Sequence, residues 1–308
     1  MLKYCLTDID GRVTELKKPM KVSFISSENA PADRLTAVFA VRGRIPVIRS
    51  ADVYDGREKI FGGLVDVQTD ECTERGTLLT VSARSLECLL LDNEAMPQTY
   101  CMPSMPLLMK RHFEPLGFDR FIGTGKAFNG EMTISKGMSE WSVLKSFCES
   151  FTGTYPKITK DGVIDISGET KQEVCVSPDR IISVKHSLKN RALISKAIAR
   201  THTGGVYSMP LVSRLAEKIG VKRIRYVNSI DGKSRTVLSA KKLMERSDMQ
   251  YEQIIVDCCG CIICDAGASL TIAKNRKKYI VSEINYILDK NGEHTVIYAY
   301  APPESERG

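Results

Sequence analysis

Residues 60–91, IFGGLVDVQTDECTERGTLLTVSARSLECLLL, constrain the fold more than any other stretch, because they read as one long β-hairpin. Phe61, Val65 and Val67 alternate with Asp66 and Gln68. After a polar connection, Leu79, Val81 and Ala83 alternate with Thr80, Ser82 and Arg84. That is the two-residue period of an antiparallel sheet with one face on a core. It predicts that Phe61, Val65, Val67, Leu79 and Val81 face inward, and that Asp66, Gln68, Thr80, Ser82 and Arg84 share the polar face.

The residues before the hairpin supply more strands for the same sheet. The turn signal Asp8-Ile9-Asp10-Gly11 joins 3–7 to 13–16. Residues 21–26 place Val22 and Phe24 on one side, and 34–41 do the same with Leu35, Ala37, Phe39 and Val41. An Asp-Gly turn within 52–59 delivers the chain into the hairpin. Residues 1–92 therefore predict six or seven short strands in a small antiparallel barrel or sandwich.

From residue 93 the period changes. Ser104 and Pro106 open a short helix over 107–114 that Pro115 and Gly117 stop. A clearer helix covers 139–151, with Trp141, Leu144, Phe147, Cys148 and Phe151 on one face, Ser139 as N-cap and Gly153 as the stop. Residues 154–159 and 163–167 then form a hairpin about Lys160-Asp161-Gly162, completing a compact α/β module over 93–168. Residues 169–303 return to strand at 180–187, 192–201, 251–257, 269–273, 278–289 and 294–301. Asn291-Gly292 is a favoured two-residue turn, and it sets Ile280, Ile284, Tyr286 and Leu288 against Val296, Tyr298 and Tyr300. Helices are predicted at 210–219 and at 236–248, the latter with Val237, Ala240 and Met244 on one face. Residues 304–308 form a solvated tail. The expected fold is mainly β (α+β), two antiparallel β domains flanking a small α/β insertion.

A chain of 308 residues is long enough for two or three domains, and 43% hydrophobic with 26% charged residues is ordinary for folded protein. No stretch approaches the roughly 20 consecutive apolar residues of a membrane helix. The N-terminus turns polar too soon for a signal peptide, which gives an expectation of synthesis in the cytoplasm. Net charge is +7, with Lys and Arg spread among 37 acids, so it reads as solubility. Ten cysteines, mostly single within apolar patterns, suit a reducing compartment.

The candidate chemistry is sparse. Cys258, Cys261 and Cys264 have C-x2-C-x2-C spacing, which can hold zinc or an iron-sulfur cluster. A ferredoxin-type run would need a fourth cysteine followed by proline, whereas Asp265 follows Cys264, and no second CxxC pair exists, so a strand and turn role is expected there. The four histidines, 112, 186, 202 and 294, lie in no Ser or Cys nucleophile motif, and neither GxGxxG nor a P-loop occurs. No catalytic residue and no cofactor is expected. Lys218, Lys222, Arg223 and Arg225 beside Tyr226 read as the exposed side of a helix and strand, with a nucleic-acid strip as the lesser reading.

Five segments, in order, resemble one family. They are Asp52-Val53-Tyr54-Asp55-Gly56 leading into Ile60-Phe61-Gly62-Gly63-Leu64-Val65; Ser82-Ala83-Arg84-Ser85-Leu86-Glu87-Cys88-Leu89-Leu90; Ser135-Lys136-Gly137-Met138-Ser139-Glu140-Trp141-Ser142-Val143-Leu144; Gly220-Val221-Lys222-Arg223-Ile224-Arg225-Tyr226-Val227-Asn228; and Gly292-Glu293-His294-Thr295. Their order and spacing resemble the baseplate hub proteins of contractile phage tails and phage-tail-like bacteriocins, especially those of prophages in Gram-positive bacteria. The resemblance implies two tube-protein-like barrel domains, with a homotrimer joining a sixfold inner tube to a threefold central spike. It implies other baseplate proteins and a tape measure as partners, assembly in the bacterial cytoplasm, and a final place in the released particle. It also makes Asp66, Gln68, Thr80, Ser82 and Arg84 a candidate channel lining. A peptidoglycan-directed hydrolase or binding module at the particle tip is the alternative, and a nucleic-acid-binding barrel a third; specific nucleic-acid binding is not expected.

Overall fold

The computed structural model describes residues 2–28, 30–74, 76–168, 172–200, 206–227, 235–272 and 275–301. The chain is mainly β and forms two compact units. One comprises Met1–Thr170, Cys259–Ala266 and Glu283–Val296, the other Lys171–Cys258, Gly267–Ser282 and Ile297–Gly308.

The first unit begins with seven strands: β1 (Leu2–Asp8), β2 (Val13–Leu16), β3 (Lys21–Ser27), β4 (Ala30–Val41), β5 (Ile48–Asp55), β6 (Glu58–Thr73) and β7 (Gly76–Ser85). They pair antiparallel in the order β3-β4-β7-β6-β5-β1-β2. Local turns suffice for such pairing. At the first, the Asp8 carboxylate accepts from the Asp10 and Arg12 amides at 2.9 and 2.8 Å, and Gly11 takes φ +82°, open to glycine at no steric cost. One face of the sheet buries Leu2, Tyr4, Leu6, Val22, Phe24, Leu35, Ala37, Phe39, Val53, Phe61, Leu79, Val81 and Ala83. Tyr4 meets Phe39, and Phe24 meets Phe61, edge to face.

The hairpin of β6 and β7 departs from simple alternation. Val65 lies opposite Ala83 and Val67 opposite Ser82, so Asp66 is an extra residue on β6, a β-bulge. Beyond it every β6 side chain changes face. Val67, predicted to face the core, is 55% exposed, and Gln68 and Asp70 lie on the core side opposite Val81 and Leu79. The sheet also ends earlier than expected. After Ser85 the chain turns into helix α1 (Cys88–Asp92), whose Cys88 and Leu90 are buried.

Residues 98–166 add short elements around a separate core: β8 (Gln98–Cys101), α2 (Met105–Leu108), β9 (Phe121–Ile122), β10 (Glu131–Ile134), α3 (Glu140–Phe147), β11 (Lys157–Ile158) and β12 (Ile164–Asp165). The expected helices form here, each continued by a wider π turn, at Met109–Phe113 and Cys148–Thr152. Ser139 caps α3 by accepting from the Ser142 amide at 3.2 Å, and Gly117 and Gly153 end the two helical stretches in left-handed conformations. Trp141, Leu144, Phe147 and Phe151 bury the helix face that the spacing predicted. The 160–162 turn joins β11 to β12, which also pairs with β9 in parallel.

The second unit contains β13 (Glu173–Val176), β14 (Ile181–Leu188), β15 (Lys196–Arg200), β16 (Tyr207–Val212), α4 (Arg214–Ile219), β17 (Ile224–Val227), α5 (Arg235–Tyr251), β18 (Glu252–Cys259) and β19 (Ser269–Ile272), then β20 (Asn275–Asp289) and β21 (Gly292–Tyr300). β20 and β21 begin or end in the first unit, where Glu283–Leu288 pairs with β3. The larger sheet of the second unit runs β14-β18-β21-β20-β19-β13. A separate sheet, β16-β15-β17, packs Ala197 and Ala199 on Ala240 and Met244 of α5.

Two expectations fail here. Residues 207–212 form a strand instead of the start of a helix: Pro210 is tolerated because β16 is an edge strand, and the helix starts only at its cap Ser213, whose hydroxyl accepts from the Ala216 amide. In β21 the buried side chains are Thr295, Ile297 and Ala299, while Val296, Tyr298 and Tyr300 are only half-buried, because apolar residues on both faces leave the phase unmarked. His202 and the side chain of Val237 lie outside the described residues.

Val81 is 1% exposed, and Thr80 beside it faces away from the core. Val81→Asp buries an unpaired charge, a loss of several kcal/mol, and is expected to abolish folding. Thr80→Ala is expected to change stability by about 0.5 kcal/mol or less. Soluble yield and thermal melts check the pair, and equal behaviour would reverse the face assignment.

Candidate assembly surface

Opposite the first core, β3, β4, β7 and β6 present rows of small hydroxyl side chains. Cross-strand register sets Ser23 against Thr36, Thr36 against Ser82, and Thr80 against Thr69. The Thr36 and Ser82 hydroxyls are 3.1 Å apart and share a hydrogen bond. These groups hydrogen-bond without carrying charge.

Arg84 borders the rows and is held on two sides. Its Nε and Nη2 donate to Asp66 at 2.6 and 3.0 Å, and its Nη1 and Nη2 donate to Asp92 at 3.1 and 2.7 Å. Bidentate contacts to both carboxylates fix the guanidinium plane. They also hold Arg84 more firmly protonated and draw the Asp92 carboxyl below its usual range. The bulge thus turns Asp66 toward Arg84. Of the five candidate lining residues, Thr80, Ser82 and Arg84 share the outer face and Asp66 joins them at the bulge. Gln68 does not: it turns to the other side, where its Oε1 accepts from the Ile48 amide at 2.9 Å.

Two features were not foreseen. Asp33 of β4 and Glu87, just ahead of α1, are carboxyls near one another, and Ser85 accepts from the Asp33 amide at 2.8 Å. Burial pushes Asp33 up to about 6, and burial followed by the charge of Asp33 pushes Glu87 up to about 8. The other is a buried chain in the 98–166 core. His112 Nδ1 stands 2.9 Å from Glu140 Oε2, and its Nε2 stands 2.8 Å from the Tyr100 hydroxyl. No local spacing marks either group, since the partners lie 54, 28 and 12 residues apart.

Cys258 and Cys264 are buried, Cys261 is half-buried and Cys259 is exposed; all ten cysteines are thiols. Burial pushes the Cys264 thiol up to about 12. Among the described residues, no three His, Cys, Asp or Glu side chains stand close enough to share a metal ion. The Cys-rich segment is tied down by Thr295, which donates to the Gly260 carbonyl at 2.8 Å and accepts from the Ile262 amide at 3.0 Å. None of the described helices is long and apolar enough to cross a membrane.

Both raised carboxyls make the fold hold protons that the unfolded chain releases. The stability they supply is therefore full in acid, below their ordinary values of 3.8 and 4.5, and is lost as pH rises through about 6 and about 8. The melting temperature is expected to fall across that window, and Glu87→Gln, which keeps the neutral form, should flatten the fall. An identical fall in both proteins would mean that Glu87 is ionised in the fold.

No family model and no curated protein matches this sequence. Solved structures do. The 43 kDa tail protein of prophage MuSo2 from Shewanella oneidensis aligns with a TM-score of 0.75 and 16% identity, over 98% of this chain and 99% of that one. A tail protein from Neisseria meningitidis MC58 aligns at 0.77 with 14% identity, over 97% and 96%. The E. coli c3393 protein, a type VI secretion component described as similar to the T4 tail proteins gp27 and gp5, aligns at 0.60 with 9% identity, over 100% and 78%. The chain therefore has the fold of these phage tail and secretion-system proteins along nearly its whole length.

Proposed function

We propose that the protein is a structural hub of a contractile tail baseplate or related injection particle, a homotrimer joining the sixfold inner tube to the threefold spike. The observation that carries the reading is the fold shared with two tail proteins, one of them from a prophage, across 97–98% of the chain. Symmetry supports it. Three chains can offer six comparable positions only if each contributes two, and this chain has two compact units, each with β-sheet.

In this reading Thr80, Ser82, Arg84 and Asp66, with Thr36, line the channel, and Gln68 is withdrawn from that set. Uncharged hydroxyls suit a lining past which other molecules must slide, since they offer neither apolar adhesion nor strong fixed charge. The boundaries 1–92, 93–168 and 169–303 remain our division into tube-like domain, insertion and second tube-like domain. The partners are the spike, the inner tube, other baseplate proteins and the tape measure. Assembly takes place in the bacterial cytoplasm before the chain takes its place in the released particle. No catalytic role is assigned to any residue.

Light scattering on the purified chain with spike and tube proteins is expected to give three copies per complex, and micrographs of tagged particles should place the tag between tube and spike. A chain that stays monomeric with both partners, or that releases soluble muropeptides from cell walls, overturns the proposal in favour of a tip hydrolase.

A further inference from the structure

His112 is 2% exposed, Glu140 7% and Tyr100 4%, so an imidazole and a carboxylate lie together inside the 98–166 core. The contacts of the ring decide which nitrogen carries its proton. Nε2 stands 2.8 Å from the Tyr100 hydroxyl and 3.3 Å from the Gln98 amide nitrogen. The orientation of that amide is fixed from its other end, because Arg111 Nη1 donates to Gln98 Oε1 at 3.0 Å. An amide NH2 group only donates, so Nε2 must accept, and the proton of the neutral ring lies on Nδ1, 2.9 Å from Glu140 Oε2.

Arg111 is the outer end of this chain of contacts. It is exposed and stands over the Tyr100 ring, 5.5 Å from its centroid. The titratable and charged groups set against the imidazole are Glu140 of α3 and Tyr100 of β8; Arg111, on the ring's own turn, acts through Gln98, and the neighbouring Phe113 ring is apolar. A second proton changes what Gln98 can do. Imidazolium donates from both nitrogens, so Nε2–H meets the Gln98 NH2 donor against donor, whereas the Tyr100 hydroxyl can rotate to accept. Glu140 attracts that proton, since a carboxylate at ion-pair distance favours the charged ring. Turning the Gln98 amide over lets Oε1 accept from Nε2, but its NH2 then faces Arg111, which is also a donor. One amide satisfies His112 or Arg111, not both.

The geometry points to a proton-operated latch, in which protonation of His112 turns the Gln98 amide over and releases Arg111 from its place over Tyr100. The proton comes from solvent and adds to the Nε2 lone pair, and no covalent bond breaks. Glu140 draws the proton in, Gln98 moves, and a surface cation on the 98–166 module is set free as pH falls. Asp33 and Glu87 respond in the opposite sense, because the stability they supply is lost as pH rises. The latch lies wholly within residues 98–140 and stands whether or not the chain is a hub.

The test follows the imidazole nitrogens by NMR in the full chain labelled with 15N-histidine, titrated from about pH 8 to about pH 5, where imidazoles ordinarily change charge. His112 is assigned with His112→Gln, or by elimination with variants of the other three histidines. Its Nε2 is expected to be bare at the upper end and protonated at the lower. Gln98→Leu at a half-buried position and Arg111→Met at an exposed one each remove one part of the latch without burying a charge. Each is expected to move proton uptake to higher pH by about one unit, a tenfold change in proton affinity. Added to Gln98→Leu, Arg111→Met should shift nothing further, because it acts through the amide. An equal shift from Arg111→Met in both backgrounds means direct charge repulsion and overturns the inference. So does a ring already protonated on Nε2 at about pH 8, a ring that stays bare there throughout the titration, or no shift in either single variant.

Discussion

The register of β7 between β4 and β6 is the constraint on which the first unit depends. Leu79, Val81 and Ala83 are 0–1% exposed, and each lies opposite a partner on both neighbouring strands. A slip of one residue would carry Thr80, Ser82 and Arg84 into the core and bring Leu79 and Val81 out. Removing two such apolar side chains from a core costs about 1.5–3 kcal/mol each, before the desolvation of Arg84 is counted. β7 is therefore locked, and β6 must adapt to it. The bulge at Asp66 is that adaptation, and it delivers the carboxylate that holds Arg84.

Close backbone approach explains why the strand carries two adjacent glycines at Gly62-Gly63. A Cβ on Gly63 would stand 2.1 Å from the Arg84 carbonyl oxygen, and one on Gly62 would stand 2.8 Å from the carbonyl of Lys160. Neither contact can relax by moving a side chain. The pair thus lets β6 lie against β7 and lets the 160–162 turn lie against β6. From that turn Lys160 reaches Asp265 at 3.1 Å, so the Cys-rich segment is anchored by an ion pair as well as by Thr295. Within that segment Cys258 and Cys264 are buried.

Where one face is apolar and the other polar, the sequence was sufficient. The seven opening strands, the cap at Ser139 and the glycine stops at 117 and 153 all follow from local chemistry, and the structure has each of them. The failures share a physical cause. The run Leu64-Val65-Asp66-Val67 satisfies strict alternation as well as it satisfies a bulge, so the flip that exposes Val67 and turns Gln68 inward leaves no local trace. In β21 both faces are apolar, and in β16 a proline before Ser213 looks like a helix start because nothing local says that the strand is an edge. The Arg84 clamp was half visible, since Asp66 and Arg84 were placed on one face. The contacts of Asp33 with Glu87 and of His112 with Glu140 join distant positions, which only the fold brings together.

Net charge misled for a related reason, because an average over the chain conceals segregation. With twelve basic and four acidic residues in 193–251, the rest of the chain is close to neutral, although it contains most of the charged groups. The two exposed sheet faces differ accordingly. The face on β3, β4, β7 and β6 carries rows of hydroxyls, and on it Arg84 is paired by two carboxylates. The face on β15, β16 and β17 exposes Val212, Ile224 and Tyr226 at its described positions. A hydroxylated face has little to gain by leaving water, whereas an apolar face gains by burial. The first is suited to remaining wetted in an assembly and the second to being covered.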